Sequence, residues 1–418
     1  MTATAAEAPP RSPAFKVVVL WVLASLIYAL SVGYLNNLMF ALVGIAGILT
    51  VLLVRARHTP SNIQAVLTWS VPAAAFAWVV FWNGARFDKI WVFPVIVGVT
   101  ALTWASDKWV RYLCLAAVVG GMLGLTVTGW RWGRSDPIVD DFVVMQGGAL
   151  ALLHGHNPYQ MWFPSTTLGI PRLRYEFGPL LLLMSVPAVI IGDVRLIPLV
   201  AAVGILSLGA WRLKGTPYQL PLLLLLGVSP WLLWSVIECW TELVAMSCVL
   251  GWYGLRNTWK PSWLLLTVAV ASNPLVLMVV MPIGFVYPEL RRRTIQAIVL
   301  GVICYLPAYL LTGHDFIQAF EVVTHQHYFA TIGIGGVIEY ATGHSVPMLM
   351  AAVVLLLSCL IAYWLSPKAV VERELFVAVI ASLTVLSLPA DYFAYVLMPI
   401  LWVWWWIGTM VLAVAGDA

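Results

Sequence analysis

Ser262-Trp-Leu-Leu-Leu-Thr-Val-Ala-Val-Ala-Ser-Asn273-Pro274-Leu-Val-Leu-Met-Val-Val-Met-Pro-Ile-Gly-Phe-Val286 runs for 25 residues without a charge. A helix of that length would cross the roughly 30 Å hydrocarbon layer of a bilayer. Similar apolar runs recur at 17–35, 38–54, 64–83, 90–105, 109–130, 178–192, 194–211, 218–236, 240–255, 294–312, 346–366, 374–389 and 392–414. The spacing predicts an all-α polytopic membrane protein of about twelve to fourteen transmembrane helices, since lipid-exposed backbone must bond within its own segment. The alternating pattern of a membrane barrel is absent. Asn273-Pro274 interrupts its run, because proline lacks the amide that continues a helix. It is the natural place for a broken or re-entrant segment.

Composition agrees with the periodicity. The 418 residues are 62% hydrophobic and 10% charged, with a mean hydropathy of +0.94, too few charges to cover a water-soluble surface. The net charge of +4 is spread over short loops, which argues for topology and contact with membrane lipids and against nucleic acid as a partner. Residues 1–15 are Ala/Pro-rich, lack a secretory signal pattern and read as a disordered tail, leaving 16–418 as one transmembrane domain. Cys114, Cys239, Cys248, Cys304 and Cys359 lie in or beside apolar runs without a CxxC, as core packing residues do. Many of the 22 tryptophans stand near helix ends, as in an aromatic belt.

The basic clusters Arg55/Arg57, Lys108/Arg111, Arg291-Arg292-Arg293 and Lys368/Arg373 mark cytoplasmic loops. Counting helices between them puts two long loops, 131–177 and 313–345, outside. Arg212/Lys214 and Arg256/Lys260 fit this count badly, again suggesting a broken segment between 178 and 286. The first external loop gathers Arg131, Arg134, Asp136, Asp140 and Asp141 within eleven residues. Phe142, Met145, Ala149 and Leu152 then share a helical face, and Gly155 terminates the helix after His154. The pattern predicts an amphipathic helix lying on the membrane.

Several motifs resemble the GT-C class of integral-membrane glycosyltransferases, specifically the bacterial polyprenyl-phosphate-mannose-dependent mannosyltransferases that act on phosphatidylinositol mannosides. They are Asp141 leading into an Ala/Leu helix that ends Gly155-His-Asn157-Pro158-Tyr159, then Arg174-Tyr175-Glu176-Phe177-Gly178-Pro179-Leu180. Ser272-Asn273-Pro274-Leu275 follows ahead of the triple arginine, then His325-Gln326-His327-Tyr328 and Ser387-Leu388-Pro389-Ala390-Asp391-Tyr392. The chain departs from the pattern in its five extra leading helices, in lacking a Lys before Asn273-Pro274, and in having Asp391-Tyr392 where the family has a His pair. The resemblance implies a sugar, mannose in that family, carried on polyprenyl phosphate and delivered to a glycolipid or glycan acceptor. It also implies a site on the external face of the bacterial cytoplasmic membrane, with no metal or other cofactor. Asn157, Tyr159, Tyr175 and Glu176 would lie along the substrate.

Such a transfer needs one base, because a phosphate leaves as a stable anion without a proton. Asp141 is the candidate and Asp140 the alternative. The alternative role for Asp141 is the N-cap of the helix that follows. Asp136, before Pro137, either shapes a turn or touches substrate. Arg131, Arg134, Arg172, Arg174, His325 and His327 are candidates for holding the donor phosphate, arginine through its bidentate fork, or else they are snorkelling surface charges. His325 and His327 could begin a metal site, but no third ligand stands at a diagnostic spacing. Glu238 and Glu242, four apart, share a helical face and would line a cavity or an interface, where substrate contact is possible chemistry for them. A transporter or flippase for a lipid-linked saccharide is the rival reading, and a membrane scaffold a third.

Overall fold

The computed structural model describes residues 140–164, 172–212, 214, 235–236, 239–325 and 348–366. The tail 1–15, the apolar runs before residue 131, the run 218–236 apart from its last two residues, and the two runs after 373 lie outside the described residues, as do Arg131, Arg134, Asp136, Glu238 and His327. What is described is mostly helical. In chain order the helices are α1 (Asp140–Leu153), α2 (Pro179–Ile191), α3 (Leu196–Arg212), α4 (Glu242–Leu255), α5 (Trp263–Ser272), α6 (Leu277–Val286), α7 (Arg291–Ile303), α8 (Leu306–Thr312), α9 (His314–His325) and α10 (Met348–Leu365). Two short antiparallel strands, β1 (Phe163–Pro164) and β2 (Arg172–Leu173), pair Phe163 with Leu173 and Pro164 with Arg172.

The predicted apolar runs map closely onto these helices: 178–192 onto α2, 194–211 onto α3, 240–255 onto α4, 294–312 onto α7 and α8, and 346–366 onto α10. Run 262–286 is split, as Asn273-Pro274 suggested. α5 ends at Ser272, Asn273 is extended, Pro274–Val276 forms one 3-10 turn, and α6 begins at Leu277. Runs 178–192 and 194–211 differ from two simple spans, because α2 and α3 meet at an angle of 105° across Gly192–Arg195. Among the described residues one helical rod, Arg291–Thr312, is long and apolar enough to cross a membrane, and a second would exist if the bent α2–α3 pair were one span. Among the described residues, Pro274 and the Gly192 corner each cut an apolar stretch into helices of 17 residues or fewer.

Two apolar cores flank α4. One joins α1, α2, α3, the start of α4 and the start of α9, and the other joins α4, α5, α6 and α10. α5 sits centrally against α2, α4 and α7. The outward faces of the helices are apolar too: Leu310 and Leu311 are 72% and 81% exposed, and Ile190, Ile191, Val200 and Trp364 also point out. Apolar outward faces on this scale exceed what a water-exposed monomer surface usually carries.

α1 corrects the expectation of an amphipathic helix lying on the membrane. Met145 and Ala149 are buried as predicted, yet the opposite side is enclosed as well, with the Phe163 ring seated on Gly147 and the Tyr175 ring on Gly148. Leu150 and Leu153 are the residues left exposed, so the helix is a packed core element without a polar face. Its end matches the sequence: Gly155 has φ +75°, which permits the His156 amide to reach back to the Ala151 carbonyl at 2.9 Å in a Schellman-type closure.

α2 starts where Gly178 meets the end of α5, its amide donating to the Ser272 carbonyl at 3.2 Å. A Cβ on Gly178 would run into the carbonyl oxygens of Ala271 and Ser272. Gly178→Ala is therefore expected to cost about 1–3 kcal/mol, the range for forced overpacking. Gly204→Ala, on an open face of α3, is expected to be neutral or to add about 0.5–1 kcal/mol. Thermal unfolding of the two variants in detergent checks the contrast.

Candidate functional site

Beyond the end of α1 the chain makes a compact turn that carries most of the sequence-nominated residues. Asn157 caps the 3-10 turn Pro158–Gln160, its Oδ1 accepting from the Tyr159 amide at 3.1 Å, an Asx turn closed by Pro158. Tyr159 is buried and donates its hydroxyl to the Phe177 carbonyl at 3.0 Å. Burial pushes its phenol, and that of Tyr175, far above the ordinary tyrosine value, so both stay neutral. Tyr159, Tyr175, Phe177 and Phe316 form an edge-to-face aromatic stack with centroids 4.9–5.6 Å apart. Asn157 and Tyr159 thus spend their polar atoms on shaping the turn.

That stack joins the two predicted external loops. Phe316 belongs to α9, the start of loop 313–345, and the residue before it makes the polar counterpart of the contact. Asp315 accepts from Arg174 Nη1 at 3.0 Å and from Gln160 Nε2 at 3.4 Å. Trp162 lies under the Arg174 guanidinium, 4.7 Å from ring centroid to Cζ. The hydrogen bond and charge of Arg174 hold the Asp315 carboxyl below its usual value despite its exposure. Arg172, His154 and His156 are exposed on the same stretch of chain. The result is a polar cluster of Arg174, Gln160, Asp315 and the exposed Trp162 beside the aromatic stack.

The other predicted residues fall elsewhere. Asp140 opens α1 and Asp141 follows it, half-buried. Tyr175 packs on Gly148, seven residues further along the helix, so Asp141 lies about 10 Å away along the axis at 1.5 Å per residue. The Asp141 end of α1 is held by a corner that the sequence reading passed over. Arg195, 1% exposed, pairs with Asp193 through Nε at 3.0 Å and Nη2 at 2.8 Å and stacks on Phe142 at 4.5 Å. Gln146 accepts from the Val194 amide at 3.0 Å. Glu176 is half-buried beside the aromatic stack, and His325 closes α9. Glu242 is buried in the bundle interior, its Oε1 3.4 Å from Asn273 Nδ2.

Two carboxylates were therefore missed. Asp315 had a signal, an acid in the first turn of a helix that opens an external loop, where it favours the helix dipole. Asp193 had a weaker one, a lone Asp-x-Arg between two apolar runs. Among the described residues no three His, Cys, Asp or Glu side chains gather as a metal site. Comparison with family models, with curated proteins and with solved structures finds no match.

Since Asp315 is held below the ordinary carboxylate value, its contribution to stability is fully present above about pH 4 and fades as pH falls through the lowered value. The difference in thermal unfolding between the wild type and Asp315→Asn is expected to be flat from alkaline to mildly acidic pH. It should close only below the usual aspartate range, as a pH series of melting curves will read directly.

Proposed function

We propose that the chain is a polytopic membrane glycosyltransferase of the GT-C kind. It would move a sugar, mannose in the resembled family, from polyprenyl phosphate to a hydroxyl of a glycolipid or glycan on the external face of the bacterial cytoplasmic membrane. The observation that carries this reading is the junction of the two loops, in which Arg174 and Gln160 from one meet Asp315 from the other above a shared aromatic stack. The rod Arg291–Thr312 adds support: its 22 residues separate the triple arginine from the Asp315 junction by about 33 Å, a bilayer's hydrophobic thickness.

In the proposed reaction the acceptor oxygen attacks the anomeric carbon, the bond from that carbon to the phosphate oxygen breaks with inversion, and the polyprenyl phosphate leaves as an anion. In this proposal Asp141, about 10 Å along α1 from the Tyr175 contact, takes the proton of the acceptor hydroxyl, with the sugar and acceptor spanning the interval to the phosphate at Arg174. Arg174 gives Asp315 a single Nη1 hydrogen bond at rest, and the donor phosphate would compete for the guanidinium with a stronger bidentate contact, aided by the exposed Arg172. The buried ion pair Asp193–Arg195 acts on the position of Asp141 by fixing Phe142 and the start of α1. The transporter or flippase reading draws on a different observation, the buried Glu242 beside a broken helix, a pattern of ion-coupled carriers.

Membranes containing the protein, incubated with a panel of radiolabelled polyprenyl-phosphate sugars, are expected to yield a new labelled glycolipid with one of them. Asp141→Asn should lower that transfer by about 10²–10⁴-fold, the usual contribution of a general base, while insertion and yield are kept. Retention of more than about a tenth of the wild-type rate would exclude Asp141 as the base.

The topology has its own measurement. In a background freed of native cysteines, a cysteine at Gln160 and another at His314 should both react with a membrane-impermeant thiol reagent on intact cells. One at Arg292 should react only after permeabilisation. Labelling of positions 160 and 314 from opposite sides would make a single centre built from both loops impossible.

A further inference from the structure

The interior of the bundle holds a carboxylate that the glycosyl-transfer reading does not need. Glu242 is 9% exposed at the first position of α4, at the point where α5 breaks. Its Oε1 lies 3.4 Å from Asn273 Nδ2, the Thr241 hydroxyl and the Glu242 amide also face the carboxyl, and among the described residues no direct hydrogen bond closes on Oε2. The buried hydroxyl of Ser272, the neighbour of Asn273 at the break, is also without one. Among the described residues no arginine, lysine or histidine pairs with Glu242, in contrast to Asp193, whose two oxygens are covered by Arg195.

An isolated carboxylate in an apolar interior is costly by several kcal/mol unless its charge is cancelled. The start of α4 contributes only partial positive charge, worth at most about 2 kcal/mol. A glutamine would satisfy Asn273 equally well at no charge cost, so the acid itself calls for an explanation. A divalent ion would leave a net charge in the interior and would require more oxygen ligands than one carboxylate, one amide and the two hydroxyls of Ser272 and Thr241. What balances the site is a single mobile positive charge.

We propose that Glu242, Asn273 and Ser272, at the break between α5 and α6, form a binding site for one small monovalent cation, either a proton or Na+. The site goes beyond the glycosyl-transfer reading and stands whether or not that reading holds. The break supplies the geometry, since an interrupted helix turns otherwise committed backbone and side-chain oxygens toward the bundle interior. The acid supplies the charge that makes the cation stay.

The test uses the purified full chain in lipid nanodiscs and dicyclohexylcarbodiimide, an apolar reagent that adds to protonated carboxyl groups to give a stable N-acylurea. In a Na+-free choline buffer, peptide mapping by mass spectrometry is expected to find the adduct on Glu242 and to lose it in Glu242→Gln, which keeps the contact to Asn273. If the site takes a proton, labelling should fall by about tenfold or more from mildly acidic to alkaline pH and be indifferent to Na+. If it takes Na+, added NaCl should protect Glu242 by a similar factor where choline chloride does not. Absence of the Glu242 adduct in Na+-free buffer at every pH, or labelling that responds to neither pH nor Na+, overturns the proposal. Asparagine 273 offers an independent check: Asn273→Ala should change the labelling of Glu242 at least severalfold without abolishing insertion.

Discussion

The structure depends on how the helix break at Asn273-Pro274 is satisfied. In an uninterrupted helix the amide of residue 274 would bond the carbonyl of Val270, and the amide of residue 276 that of Ser272. Proline has no amide, and the Val276 amide turns instead to the Asn273 carbonyl at 3.2 Å. Two carbonyls are thereby left in an apolar interior, where each would cost free energy if unpaired. The Tyr305 hydroxyl takes the first at 2.9 Å and the Gly178 amide takes the second at 3.2 Å. Those two donors come from the α7–α8 junction and from the entrance to α2, so the break ties three distant stretches of chain together.

That tie sets the position of the candidate site. Gly178 fixes the segment that contains Arg174, Tyr175 and Phe177, and the absence of a side chain lets its backbone approach the end of α5. Tyr305, while donating to Val270, also lies edge-on to Phe316 at 6.3 Å, one residue from Asp315. The loop contacts at the polar cluster are thus extensions of contacts made deep in the bundle. A change at the break would be felt at the Arg174–Asp315 pair through Gly178 on one side and Tyr305 on the other. This is a coupling by direct packing, each step being a hydrogen bond or a ring contact.

The sequence was legible where a local rule decides the outcome. Helix extents follow from apolar run length, the end of α1 follows from Gly155, and the split of run 262–286 follows from Asn273-Pro274. It was illegible where the outcome is a pairing between distant residues. Arg174 and Asp315 are 141 residues apart, and neither has a pattern that names the other. Tyr159 and Tyr175 read as substrate contacts because they sit in motifs, yet their rings fill the space left by Gly148 and by Phe316, a packing fact that only the fold supplies. The apolar face of α1 was read as lying on a membrane, because the walls on its other side depend in part on a hairpin, β1–β2, too short to leave a signal of alternation.

The two interior acids show that burial alone does not assign a role. Asp193 and Glu242 are both nearly inaccessible, yet Asp193 has its charge covered from two residues away by Arg195, whose guanidinium is itself stacked on Phe142. A pair of that kind is closed: removing either partner leaves a buried charge, and nothing mobile is needed to balance it. It belongs to the corner between α2 and α3 and serves to hold α1 against it. Glu242 is open by the same criterion: among the described residues its carboxyl meets only neutral groups, the Asn273 amide, the Thr241 hydroxyl and its own backbone amide. An apolar bundle tolerates the closed arrangement as architecture. Among the described residues nothing covers the charge of the open one, which is why the helix break is at once the anchor of the described fold and the place where a mobile positive charge is proposed.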